Sequence, residues 1–159
     1  MFNPNYDDMN KNNAAGVLAH FGNEETMEIR NDNDVTVSQG AMAFELLSEP
    51  NQLDAPVASM TGQRFLGIIM NEQDGRQHDS SVKIMTRGSI YTICEADAPL
   101  THGGPVYARI VADGAGKDVL GALRADADGG NAVLVPDAVC NQAPDAERKC
   151  IVKLLRNLA

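Results

Sequence analysis

Residues Val82–Val111, VKIMTRGSIYTICEADAPLTHGGPVYARIV, constrain the fold more than any other stretch of the chain. Val82, Ile84 and Thr86 share one face of an extended segment, Arg87-Gly88 interrupts it, and Ile90, Thr92 and Cys94 resume the period of two. That pattern predicts a hairpin. Ala98–Pro105 then supplies a loop rich in Pro and Gly, and Val106–Val111 is a further strand with β-branched and aromatic content. Three short strands separated by turns, with no reactive group among them, predict a mainly β class.

The rest of the chain repeats this grammar. Thr26–Arg30 suits a strand before the polar run Asn31–Asp34, and Val35–Val37 leads into Gln39-Gly40. Ala41–Leu47 is rich in good helix formers, but Gly40 and Pro50 close it within strand length, so a strand is expected. Asn51–Gln63 reads as loop, and Arg64–Met70 as a buried strand between polar clusters. Asn71–Ser80 contains no apolar residue and predicts an exposed loop. Val119–Ala125 and Ala132–Val135 are expected strands around an acidic glycine turn, and Pro136–Pro144 is expected loop. The end is ambiguous: Ile151, Leu154, Leu155 and Leu158 fit a helical repeat, whereas Ile151-Val152 favour a strand.

A length of 159 residues suits a single domain, since chains of this size bury roughly 68–70% of their surface on folding. Residues 14–159 are read as one β domain. Met1–Asn13, MFNPNYDDMNKNN, is read as a flexible N-terminal arm, because its apolar side chains are too few to order it unaided. Phe2, Pro4, Tyr6 and Met9 are the residues such an arm would offer to a neighbouring subunit as anchors.

Charge and side-chain inventory exclude several functions. Thirteen Lys and Arg against 22 Asp and Glu leave a net charge of −9, which repels a phosphate backbone, so direct nucleic-acid binding is not expected. With 4% aromatic residues and no Trp, no stacking platform for bases is evident. No apolar run reaches the roughly 18 residues of a membrane span and no secretory leader is recognisable, so a soluble, unexported protein without membrane contact is expected. Cys94, Cys140 and Cys150 lack both a C-x-x-C pair and a nearby His, and read as small buried side chains.

No catalytic constellation is visible, and no enzyme, cofactor or metal is expected. His20, His78 and His102 come without partners. His102-Gly103-Gly104 is similar to a glycine-rich oxyanion loop, but no G-x-S-x-G elbow supplies a nucleophile. Asp126-Ala127-Asp128-Gly129 resembles the start of a calcium loop without its distal bidentate Glu, and reads as a turn. Gly114–Lys117 lacks the length of a P-loop and the Ser or Thr that follows its Lys. The less favoured alternative is a small β-barrel metal-binding enzyme built on His102, Asp126 and Asp128.

Five short segments in a fixed order, Ala15–Ala19, Phe65–Ile69, Arg87–Tyr91, Gly104–Arg109 and Gly121–Gly130, resemble the structural cement proteins that decorate capsids of tailed bacteriophages. Pro105 stands where that family usually has Asp or a small polar residue. The resemblance implies a small β-barrel or sandwich-like domain of short strands, with strands after Gly40 and at the C-terminus. It also implies a non-enzymatic decoration protein on the outer surface of the virion head, made in the host cytoplasm, that bridges neighbouring major capsid proteins as a homo-oligomer, trimer or dimer. Another virion part, in head completion or the tail, is the alternative.

Overall fold

The computed structural model describes residues 24–33, 35–70 and 81–156. The segments 1–23 and 71–80 lie outside that range, and with them the expected arm, the exposed loop, His20 and His78.

The described residues form a mainly β, barrel-like sheet. Its strands are β1 (Glu25–Arg30), β2 (Met42–Leu46), β3 (Gln63–Ile69), β4 (Ser81–Ile93), β5 (Pro105–Arg109), β6 (Leu123–Arg124), β7 (Ala132–Gln142) and β8 (Lys149–Leu154). They lie in the order β2-β3-β4-β8-β7-β5-β6, and β1 pairs with the first half of β4. All of the strand pairings are antiparallel. The ends of this path nearly meet. The Met42 N–H donates to Gly121 O at 2.8 Å, Cys94 bridges Leu123, and the Glu95 N–H donates to Leu123 O at 2.9 Å. Closure of this kind satisfies backbone groups that an open sheet would leave bare.

Strand β4 is the spine, and it corrects the expected hairpin. It runs unbroken for 13 residues through Arg87-Gly88. Before Gly88 it pairs with β1 and β3, and from Gly88 onward with β8. Gly88 has φ +119°, and a Cβ there would lie 2.7 Å from Glu24 Cγ. The glycine therefore lets one strand bend from one half of the sheet to the other rather than reverse.

Two apolar clusters lie on opposite faces of β2, β3 and the first half of β4, with Met42, Phe44, Ile68 and Met85 in one and Ala43, Leu66, Ile69 and Ile84 in the other. Val82 and Ile84 join Ile29, Leu53, Leu66 and Ile69 on one side, while Ile90 and Cys94 join Phe44, Ile68, Val106 and Val152 in the larger cluster. Phe44 and Phe65 face each other across β2–β3 with ring centroids 5.5 Å apart, a pairing suited to two pleated strands.

Two other expectations change. Strand β7 continues through Pro136, which the sequence reading assigned to loop. The β5–β7 register shifts between Pro105 and Tyr107, and Pro136 and Asp137 (φ +54°) fall in that irregular stretch, where a missing N–H is tolerated. Strand β6 is only Leu123–Arg124, and Val119 and Leu120 are exposed in the turn before it. The C-terminal segment is strand from Lys149 to Leu154, held between β4 and β7. A two-sided ladder outweighs the helical spacing of its leucines.

Candidate functional site

The chemistry of this chain is concentrated on the outer face of β5 and β6. Ala108 and Leu123 pair across these strands and point into the core, so Arg109 and Arg124 point the other way. Both guanidiniums are buried, Arg109 at 0% and Arg124 at 1% exposure. Such side chains need counter-ions, because an isolated buried charge costs far more than folding can offset.

Glu95 supplies the first. Arg109 reaches it through Nε and Nη2, the latter 2.8 Å from Oε2, and Arg124 Nη1 lies 2.5 Å from the same Oε2. Asp128 closes the ring, with Oδ2 2.8 Å from Arg109 Nη2. Asp126 accepts from Nε and Nη2 of Arg124 at 2.9 and 2.7 Å. Lys117 sits on the rim, its Nζ 2.9 Å from Asp97 and 3.3 Å from Asp128. The Arg109 guanidinium beside Asp128 holds its carboxyl down at about 2, with Lys117 and Arg124 acting in the same direction. The Asp97 carboxyl is likewise lowered, chiefly by the Lys117 ammonium, and Lys117 is raised in turn.

The acidic turn takes part in this arrangement. Asp126 and Asp128 were candidates for a cation, and they have one: their oxygens face guanidinium and ammonium groups. Among the described residues no group of three or more His, Cys, Asp or Glu is placed to hold a metal ion. The ionic cluster pins the turns after β4, before β6 and after β6 to the barrel wall.

The remaining candidates stay apart. His102 Nδ1 lies 2.8 Å from Asn141 O at one end of β7, whereas Asp128 precedes the other end. They cannot share a site. The N–H groups that an oxyanion would need are engaged, Gly103 with Cys140 O at 2.7 Å and Gly104 with Thr101 O at 2.8 Å. Lys117, the last residue of the Gly114–Lys117 turn, spends its ammonium on Asp97 and Asp128. Cys94, Cys140 and Cys150 are free thiols buried in the larger core cluster. The neighbouring Cys150 thiol draws Cys94 down, and that contact with burial pushes Cys150 up. Cys94 is only 1% exposed, so this thiol meets no substrate.

What the surface does present is apolar. Ile93 and Val119 border an open groove of about 260 Å³, and Leu120 lies beside Val119. Elsewhere Leu47 is 61% exposed and Val57 lies near it across Gln63.

Residues 5–155 match the model of the family described as "Structural cement protein (E217 gp24/Pam3 gp6)". The chain belongs to the phage structural cement protein family. Membership gives it a structural role in the bacteriophage capsid, in association with shell proteins. No curated protein matches the chain. Among solved structures, a chain from "The capsid of Myoviridae Phage XM1" is similar at TM-score 0.69 and 18% identity, over 91% of each chain. At that identity the likeness speaks for the fold. The ionic cluster escaped the sequence reading of this cement protein, although Arg109 and Arg124 inside otherwise apolar strands were a usable signal.

Proposed function

We propose that the protein is an adhesive, non-catalytic decoration of the head, sitting on the outer surface of the capsid as a trimer or dimer and bridging neighbouring major capsid proteins. The observation that carries this reading is the family match across nearly the whole chain. A bridge works by multivalency: once one contact forms, later ones are intramolecular, and avidity gains of about 10² to 10⁴ follow without stronger single contacts. A shell under internal pressure is held by that gain.

The arm Met1–Asn13 is proposed as one attachment element, with Phe2, Pro4, Tyr6 and Met9 as anchors. An aromatic ring buried on a partner contributes on the order of 2–3 kcal/mol. Deleting residues 2–13 is therefore expected to leave the thermal transition unchanged and to lower occupancy on undecorated heads. Equal occupancy by intact and truncated protein would remove the arm from the mechanism. Imaging of the intact particle tests the wider reading: hundreds of copies on the head agree with cement, whereas a handful at the neck or tail would replace it with a head-completion or tail role.

A further inference from the structure

We propose that Asp113 is a modification site, at which the link to Gly114 rearranges through a cyclic imide to isoaspartate, while the ionic cluster protects the same dipeptide at Asp128-Gly129. The rearrangement needs water and no other reagent. It stands apart from how the protein attaches to a shell.

The chain contains three Asp-Gly dipeptides, Asp74-Gly75, Asp113-Gly114 and Asp128-Gly129, the first outside the described residues. In such a pair the glycine nitrogen attacks the aspartate Cγ, the C–OH bond of the protonated carboxyl breaks, and water leaves with the amide proton. The product is a five-membered ring. Water then adds to one of its two carbonyl carbons and breaks that C–N bond. Opening at Cγ restores aspartate. Opening at the main-chain carbonyl leaves the chain running through Cβ and Cγ, with the α-carboxylate as the side group. One water leaves and one returns, so no atom is gained and nothing is oxidised or reduced. Glycine favours ring closure, because it has no Cβ to crowd the ring and its backbone turns freely.

The two described dipeptides differ in their surroundings. Residues 113–116 are all exposed, and a Cβ at Gly114 or Gly116 would meet nothing within 4 Å. Among the described residues the Gly114 N–H donates to no acceptor, and the Asp113 carboxylate has neither ion pair nor hydrogen bond. Both reacting groups are free to meet. At Asp128, Oδ2 lies 2.8 Å from Arg109 Nη2 and 3.4 Å from Arg124 Nη1, and Oδ1 lies 3.3 Å from Lys117 Nζ. Three cations keep that carboxyl ionised and in place, and an ionised carboxyl has no hydroxyl to lose. Isomerisation at Asp113 would also reach the cluster. Its turn is closed by Asp113 N–H to Lys117 O at 3.2 Å and Lys117 N–H to Gly114 O at 2.9 Å, one bond on either side of the 113–114 link. An extra backbone atom in that link breaks their register, and Lys117 ties the turn to Asp97 and Asp128. A structural protein of a finished particle is not resynthesised, so the change accumulates with age.

The test is peptide mapping of the full chain after storage in mildly acidic buffer, where more carboxyl is protonated, folded in one arm and in urea in the other. Trypsin places the three dipeptides on separate peptides, residues 65–76, 110–117 and 125–148. Isoaspartate is read as a peptide of unchanged mass and shifted elution that isoaspartyl methyltransferase labels. In the folded arm Asp113 is expected to convert at least about ten times faster than Asp128, since a carboxyl titrating near 2 rather than 3.8 is protonated far more rarely. In urea the two are expected to convert at similar rates, which makes the fold and not the dipeptide the source of the difference. Asp113→Glu, which would need a larger ring, is expected to abolish labelling of peptide 110–117. A folded chain whose peptide 110–117 stays unlabelled would overturn the inference, whatever happens in urea. So would equal conversion of Asp113 and Asp128 in the folded chain, or labelling that survives in Asp113→Glu.

Discussion

Removing the Glu95 carboxylate should destabilise this protein more than any other single charge deletion. Glu95 is 6% exposed and accepts three charge-assisted bonds, two from Arg109 and one from Arg124. In Glu95→Ala both guanidiniums stay buried with fewer partners, Arg109 keeping Asp128 and Val111 O and Arg124 keeping Asp126. Breaking a buried pair from one side costs about 3–5 kcal/mol. For chains of roughly 150–250 residues each kcal/mol lowers Tm by about 2–4 °C, so the transition should fall by roughly 6–20 °C. Calorimetry of the purified chain reads this directly. The cause is separable from lost packing, because the triple variant Glu95→Ala, Arg109→Met, Arg124→Leu removes the stranded charges and should recover part of the loss. A Glu95→Ala transition within about 1 °C of the parent would refute the reasoning, as would a triple variant no more stable than the single one.

Lys117→Ala should change Tm little, since its ion pairs lie on the solvated rim where screening is strong; a loss matching that of Glu95→Ala would contradict this. Gly121→Ala should lower Tm measurably, because the residue has φ +82° and its Cβ would sit 2.3 Å from Met42 O at the seam of the barrel; an unchanged transition would show the seam to be dispensable. Asp128 titrates near 2 in the folded chain against 3.8 ordinarily, so the native state binds fewer protons and its stability is fully present above about pH 4. Thermal scans should show that contribution lost as pH falls through 4 toward 2, with a shallower fall in Asp128→Asn; parallel profiles would exclude Asp128 as a cause. Decorated heads should keep their coat through a few hundred millimolar salt, since a chain of net charge −9 does not attach by phosphate-type counterion release; stripped particles in an electron micrograph would argue otherwise.

The period of two was legible wherever a strand has one buried and one exposed face. Val82 and Ile84 alternate with the exposed Lys83, and the limits of β1, β2 and β3 follow from polar and glycine punctuation. Gly88 was misread because a glycine that bends a strand and one that reverses it look alike in sequence; here the deciding neighbour is Glu24, brought there by β1. Pro136 was misread for the same kind of reason, since only the register shift against β5 makes room for it. The resemblance chose strand for the C-terminus where leucine spacing alone favoured a helix, and the ladders to β4 and β7 explain the outcome. The ionic cluster was half legible. Arg109 and Arg124 in buried strands demanded counter-ions, but which carboxylates answered depended on loop packing that no local pattern encodes.

That cluster also bears on how the exposed apolar ridge is held. Val119 and Leu120 sit between Lys117 and Gly121, and both flanks are fixed. Lys117 donates its N–H to Gly114 O at 2.9 Å and carries its ammonium to Asp97 and Asp128. Gly121 donates to Arg109 O and accepts from the Met42 N–H, each at 2.8 Å. Two apolar side chains, 45% and 36% exposed, are therefore presented on backbone that is already ordered before any contact forms. Ordering a loop at the moment of binding subtracts from affinity, so a ridge held in advance gives up less of its burial energy to conformational entropy. The carboxylates that neutralise two buried arginines thus do a second job, because the same Asp97 and Asp128 that complete the ionic cluster anchor the turn that carries the ridge. Loosening the cluster should make that turn mobile before it melts the barrel, since the seam at Gly121 draws on backbone bonds that need no side-chain charge.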